Sequence, residues 1–402
     1  MVNRDWDVIV VGGGIAGLTA TALLSKLNLD VLCIEPQKPT NSRKQDTKDL
    51  RSTAYIGNSV TLLKEAGVWT KLVEVAEPLK VMQICDINNS KKRMIASNFD
   101  SQDIGLSHFG YNIPNWLTKK SILSVINSST NAHIMFGVKA ERLTNRINSS
   151  LLKLSDDSTV SAKLIIGADG RNSDIRSLSG ITIKKWDDNQ DALAFITKHE
   201  KAHKGTSVEI LDTGGPCTLV PLKSKGDGQY QSAVVWMDRR KETKRLMQLT
   251  DNDFSTELSI RTNNVLGPCQ VNSKRSIYPI ITQLADKFYA ERVALIAESA
   301  HVMPPIGAQG LNTSFDDIEL LVKLIKRSYL SNSDIGGYSL LTKYGELRRR
   351  LTKTKMIGIT ILNSASKSNF PFSQTVRKLG LDAIESNSAF KNTLMKVGLG
   401  KF

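Results

Sequence analysis

A chain of 402 residues, 40% hydrophobic and 23% charged, has a globular composition and the length for about two to three units of structure. The formal charge of +15 admits nucleic acid, anionic lipid or an anionic small molecule as partner, but dispersed basic residues with few aromatics beside them argue against nucleic acid. Cys33, Cys85, Cys217 and Cys269 are too far apart for a local redox dithiol or an obvious zinc site, which suits a reducing cytoplasm. No run reaches the ~18 apolar residues of a spanning helix, and a strand starting near residue 6 leaves no room for a signal peptide.

The first predicted element, Trp6–Val11, reads as a buried parallel strand. Gly12, Gly14 and Gly17 follow in the spacing GxGxxG. Gly12 permits a tight turn, Gly14 lets backbone approach a pyrophosphate, and Gly17 lets helix and strand pack closely. Ile15 and Ala16 complete the turn and open a helix running to about Leu27, whose N-terminus offers free N–H groups to phosphate. A second strand, Leu29–Ile34, delivers Glu35, whose carboxylate suits adenosine ribose hydroxyls and repels a 2′-phosphate. FAD or NAD fits there and NADP does not.

Residues 76–107 alternate and turn. Lys163–Ile166 forms a short strand running into Gly167-Ala168-Asp169-Gly170-Arg171-Asn172-Ser173. Residues 186–285 hold strand-like runs, Leu193–Thr197, Thr206–Leu211 and Tyr230–Trp236, and read as an antiparallel layer roofing a substrate cavity. Arg292–Ile296 leads into Ala297-Glu298-Ser299-Ala300-His301. Ligands of open α/β sheets lie beyond the strands' carboxyl ends, so Glu35, Asp169 and Glu298 are expected to converge on one crevice. Helices follow at Asp316–Arg327 and Ser339–Thr354, then a weaker amphipathic tail to Phe402.

The predicted fold is mixed α/β: a Rossmann-like domain of three-layer ββα character, interleaved with an antiparallel substrate domain and followed by helices. The first comprises residues 1–75, 108–185 and 286–325, the second 76–107 and 186–285, and the helical region 326–402. His301 reads as a satisfied packing residue, Trp186 and Trp236 as core, and Arg348-Arg349-Arg350, Lys353 and Lys355 as a solvated helix face.

Four blocks together resemble the group A FAD-dependent monooxygenases of the para-hydroxybenzoate-hydroxylase-like fold, and within them the ubiquinone-biosynthesis hydroxylases. They are the GxGxxG unit with Glu35; Asp49-Leu50-Arg51-Ser52-Thr53-Ala54, similar to D-x-R-x-x-A; Gly167 through Arg176, similar to G-A-D-G-x-x-S-x-x-R; and Ala297 through Asp317. The last departs from the family, which commonly has Gly-Asp for Ala297-Glu298, Ala-Gly for Gly307-Ala308, and Gly at Ser314.

The resemblance implies FAD, O₂ and transient NAD(P)H docking, with ring hydroxylation through a flavin C4a-hydroperoxide and no catalytic side-chain nucleophile. It places Arg51 against FAD, Asp169 near the pyrophosphate or sugar chain, and Glu298 on a ribityl hydroxyl. Backbone N–H groups of Gly310, Leu311 and Asn312 would meet the flavin N1–C2=O edge, with Pro305 and Gly310 supporting the ring. The implied substrate is a polyprenylated phenol of ubiquinone biosynthesis. The implied location is cytoplasmic or peripheral on the inner membrane, beside other quinone-biosynthesis proteins. A soluble aromatic substrate, or a degenerate flavin-binding scaffold subunit, are the alternatives.

Overall fold

The computed structural model describes residues 5–38, 49–88, 93–211, 214–224, 226, 228–367 and 387–398. Its first sheet carries five parallel strands in the order Val293–Leu295, Thr159–Gly167, Asp5–Val11, Val31–Glu35 and Ala132–Phe136. Val8, Ile9, Val31, Cys33, Ile34, Leu164, Ile165 and Ile166 have no exposure, as unbroken apolar runs require in a sheet covered on both faces. The helices Ile15–Ser25, Asn115–Asn127 and Gln309–Leu330 pack together beside it.

A nine-stranded sheet forms the roof. Its central order is Ser276–Ala285, Ile183–His199, Tyr230–Arg239, Cys217–Leu222, Thr206–Leu211 and Val81–Asn88. All its pairs are antiparallel except Thr206–Leu211 with Val81–Asn88. The outer face buries Phe195, Val208, Ile210, Leu219 and Trp236 against Leu246, Phe254 and Leu258. Those last three belong to the helices Arg240–Gln248 and Asp251–Arg261, inside the stretch predicted to be strands. The second has a legible start, because Thr250 accepts from the Asp253 N–H. Three short strands, Ser52–Ile56, Gly110–Pro114 and Glu77–Leu79, lie in a sheet of their own.

One expectation changes. Trp236 is buried, but Trp186 is 51% exposed on the roof, so it is no core residue. The helix Tyr338–Lys367 packs on Gln309–Leu330, and its Tyr344 hydroxyl donates to Leu295 O at 2.7 Å. Of the tail beyond it, the helix Ser388–Gly398 is described; residues 368–386 and 399–402 lie outside the described residues.

Candidate cofactor and substrate cavity

The carboxyl ends of three neighbouring strands are stitched together at the glycine turn. Gly12 N–H donates to Ile34 O at 2.8 Å, and Ala168 N–H donates to Val11 O at 2.7 Å. Gly12 has φ +115°, and a Cβ there would lie 2.3 Å from Ala168 O. A Cβ on Gly17 would lie 2.0 Å from Gly12 O, so helix and turn touch backbone to backbone. Gly14 differs: a Cβ there meets nothing within 4 Å, because the residue faces the cavity with Ile15 and Ala16. Among the described residues no side chain caps the helix start, which leaves its N–H groups for a ligand.

Glu35 accepts from Gly13 N–H at 2.6 Å and from Gln37 N–H at 2.9 Å, which fixes its carboxylate under the turn. Asp169 reaches the same sheet edge, yet its side chain turns away from the cavity. It accepts from the Ser173 hydroxyl and from Ile175 N–H (3.0 Å), capping the short helix Asp174–Leu178, and burial pushes its carboxyl above the ordinary range. The neighbouring Ala168 and Gly170 line the cavity instead. Arg176 ties this turn to the next by donating to Ser299 O and Arg171 O.

Glu298 lines the cavity and accepts from Arg171 Nε at 3.3 Å. Beneath it, the fully buried Asp317 accepts from Ala297 N–H (3.0 Å), His301 Nε2 (2.7 Å) and Arg348 Nε (2.8 Å). Burial opposes its charge, but His301 and Arg348 outweigh that and hold the carboxyl below its ordinary range. The first arginine predicted to be a solvated face is thus an interior ion-pair partner. Sequence reasoning placed Asp317 in the fourth block without giving it a role.

Ala297 has φ +58° and Ala308 has φ +56°, so both alanines at the departures from the family pattern are left-handed. Such a conformation costs an L-residue roughly 1–2 kcal/mol, whereas glycine's extra freedom in the unfolded chain costs about 0.4–1 kcal/mol. Ala297→Gly is therefore expected to stabilise the protein by about 0.5–1 kcal/mol in urea denaturation; a destabilised variant would show that the alanine is not strained.

On the opposite wall Arg51 forms a two-pronged pair with Asp49 (2.7 and 2.9 Å) and lies 4.9 Å over the Tyr278 ring. Pro305, Gly310 and Leu311 line the cavity at the start of the helix Gln309–Leu330, which has no side-chain cap. The Asn312 side chain stands behind that wall. It accepts from Ile56 N–H (3.0 Å) and donates to Ala54 O (2.8 Å) and Ala308 O (2.6 Å), joining the strand Ser52–Ile56 to the helix start.

These walls enclose one cavity of about 1730 Å³ that continues beneath the roof, where Met82, Ile84, Val220, Val235 and Ile280 face it. Sites for a single drug-sized ligand run to roughly 1,000 Å³, so there is room for a cofactor and a second molecule. Gly14, Ile15, Ala16, Arg51, Glu298, Pro305, Gly310 and Leu311 meet in its wall; Gly12, Gly17, Asp169 and Asn312 are not part of it, and half-buried Glu35 sits under the turn beside Gln37 and Lys38, which are. The roof residues Tyr278 and Glu209 carried no motif and were missed. Only the alternation of Thr206–Leu211 hinted at which side faces inward.

The fold and cavity define a dinucleotide-binding protein with a sheet-roofed chamber beside the nucleotide. The open cradle at Gly14 and two uncapped helix starts fit FAD's pyrophosphate and isoalloxazine edge. The chain belongs to the FAD binding domain family, whose model matches residues 5–356. It is similar to the ubiquinone hydroxylase UbiL of Rhodospirillum rubrum, with 28% identity over 98% of this chain and 89% of the relative. The 3-demethoxyubiquinol 3-hydroxylase of Escherichia coli is 22% identical over 100% of both chains. The crystal structure of p-nitrophenol 4-monooxygenase PnpA from Pseudomonas putida shares the fold, with TM-score 0.79, 16% identity and 99% of each chain covered.

Proposed function

We propose that this protein is an FAD-dependent monooxygenase that hydroxylates the aromatic ring of a prenylated phenol, a precursor of ubiquinone, using O₂ and electrons from NAD(P)H. The observation that carries this reading is the continuity of the cavity from the glycine turn to an apolar roof. The names of the two curated relatives supply the substrate class.

FAD supplies two-electron storage and O₂ activation when bound. The chain's own residues bind and orient it. Gly14 and the helix start behind it would receive the pyrophosphate, and Glu35 the adenosine ribose. Glu298 would accept from a ribityl hydroxyl. N–H groups at Gly310 and Leu311 would stabilise negative charge on the ring edge, and Arg51 would add positive potential beside it. The apolar roof excludes water from the reacting ring.

A prenylated substrate resides in a bilayer, and among the described residues no helix is long and apolar enough to cross one. The helix Tyr338–Lys367 supplies a surface contact. Its exposed Leu351, Ile357, Ile361 and Leu362 fall within an arc of about 140° at 100° per residue. Leu362 is 60% exposed and also lines the cavity, so this stripe borders the cavity mouth. With Lys353 and Lys355 nearby and a +15 chain, the partner surface is anionic lipid.

The activity test incubates the holoprotein with a prenylated phenol, O₂ and NAD(P)H and identifies product by mass spectrometry. A product heavier by one oxygen is expected; oxidation of the donor with no hydroxylated ring overturns the reading. In flotation with phosphatidylglycerol vesicles at low salt, the protein is expected to rise with the lipid. Ile357→Glu/Ile361→Glu should cut the bound fraction at least tenfold while retaining FAD. Equal partitioning of both proteins refutes the lipid contact.

A further inference from the structure

On the strand Thr206–Leu211, Val208 and Ile210 pack into the roof's outer core, while Ser207 and Glu209 line the cavity. Across the sheet Glu209 lies in one row with Ile84, Thr218, Val235 and Ala194, all of which line the same cavity. That row holds a single carboxyl group in a largely apolar surface. Glu209 is 7% exposed and makes no hydrogen bond or ion pair with any described residue. An acid so placed is costly to keep, and the fold offers it nothing in return.

We infer, on the reading of the protein as a phenol hydroxylase, that Glu209 is the acid–base residue of the chamber: its carboxylate accepts the hydroxyl hydrogen of the phenolic substrate and takes that proton as the ring is oxygenated. The phenolic O–H bond breaks and a carboxylic O–H forms, which leaves the ring as an electron-rich phenolate. Oxygen adds to a ring carbon, that carbon's C–H proton leaves to water, and Glu209 returns its proton to the phenolic oxygen. The carboxylate is regenerated; O₂ is the oxidant, with one of its oxygen atoms entering the ring as hydroxyl and the other leaving as water, reduced by the two electrons of NAD(P)H. Burial pushes the Glu209 carboxyl up to about 7, where a group exchanges protons readily near neutrality. The titratable groups around it are Asp86 on the adjoining strand Val81–Asn88, and Lys38, Lys119, Lys120, Tyr278, His301, the Asp49–Arg51 pair and the Arg171–Glu298 pair elsewhere on the cavity walls. None of them bonds to it.

The test compares wild type, Glu209→Gln and Glu209→Leu as holoproteins, with 2-geranylphenol and its O-methyl ether as probes. Both variants are expected to retain FAD and to melt at or above the wild-type temperature, because an unpaired buried acid has been removed. Glu209→Gln should lower kcat about 100-fold or more, change KM less than about threefold, and remove the rise of kcat/KM through pH 7. In binding titrations wild type should prefer the phenol over the ether at least tenfold, and Glu209→Leu should abolish that preference. A variant that melts lower, or keeps kcat and the pH profile, overturns the assignment while leaving the hydroxylase reading intact. A wild type that neither binds nor hydroxylates the phenol overturns both.

Discussion

Replacing Asp317 by Ala is expected to cost about 3–5 kcal/mol of stability, a large loss for a single side chain. The residue is fully buried between His301 and Arg348, and Arg348 is itself only 5% exposed. Without the carboxylate, a buried guanidinium loses its nearer counter-charge, keeping only Asp316 at 3.7 Å, and the Ala297 N–H loses its acceptor. Because Ala297 precedes Glu298, the same change should also loosen FAD. Urea denaturation of apo- and holoprotein checks the first effect and FAD titration the second; a loss under about 1 kcal/mol would show that the cluster contributes little. Asp317→Asn keeps the shape and isolates the charge. The folded carboxyl is held below its ordinary range, so its stabilisation is complete above roughly pH 4 and fades only as pH falls through the depressed folded value. The gap between wild type and Asp317→Asn should therefore be constant at neutral pH and narrow in acid.

Gly14→Ala and Gly17→Ala should fail in different ways. At Gly14 the added methyl has open space, so the apoprotein should unfold at the same urea concentration as wild type. That methyl stands where a pyrophosphate must approach, and losing one charge-assisted contact is worth about 1.5–3 kcal/mol. FAD affinity should accordingly fall about 10- to 100-fold, read by flavin fluorescence. At Gly17 a methyl would sit 2.0 Å from Gly12 O, a backbone atom that cannot step aside, so the fold itself should weaken by about 1–3 kcal/mol or more. Native-like FAD binding by Gly14→Ala would show that the cofactor does not lie against this turn.

Much of the nucleotide half was legible in sequence because its signals are local. Trp6–Val11, the three glycines and the strand ending at Glu35 lie within 30 residues, and each is dictated by sterics or burial over a few neighbours. The same holds for the apolar runs before Asp169 and Glu298, which the structure sets as neighbouring parallel strands. The helices Arg240–Gln248 and Asp251–Arg261 were not legible. They bury little beyond Leu246, Phe254 and Leu258, so few apolar residues mark them beside the strands that flank them.

The sequence by itself therefore determined the dinucleotide turn, the parallel strands and the existence of a roof. Only the tertiary structure decided that Asp169 caps a helix, that Asp317 joins His301 to Arg348, that Ala297 and Ala308 are left-handed, and that Glu209 faces the cavity while Trp186 faces outward. A strand's period of two says which residues share a face, but the layer that covers that face comes from elsewhere in the chain. A buried charge likewise takes its partner from whatever packing brings within 3 Å, here an arginine 31 residues away on another helix.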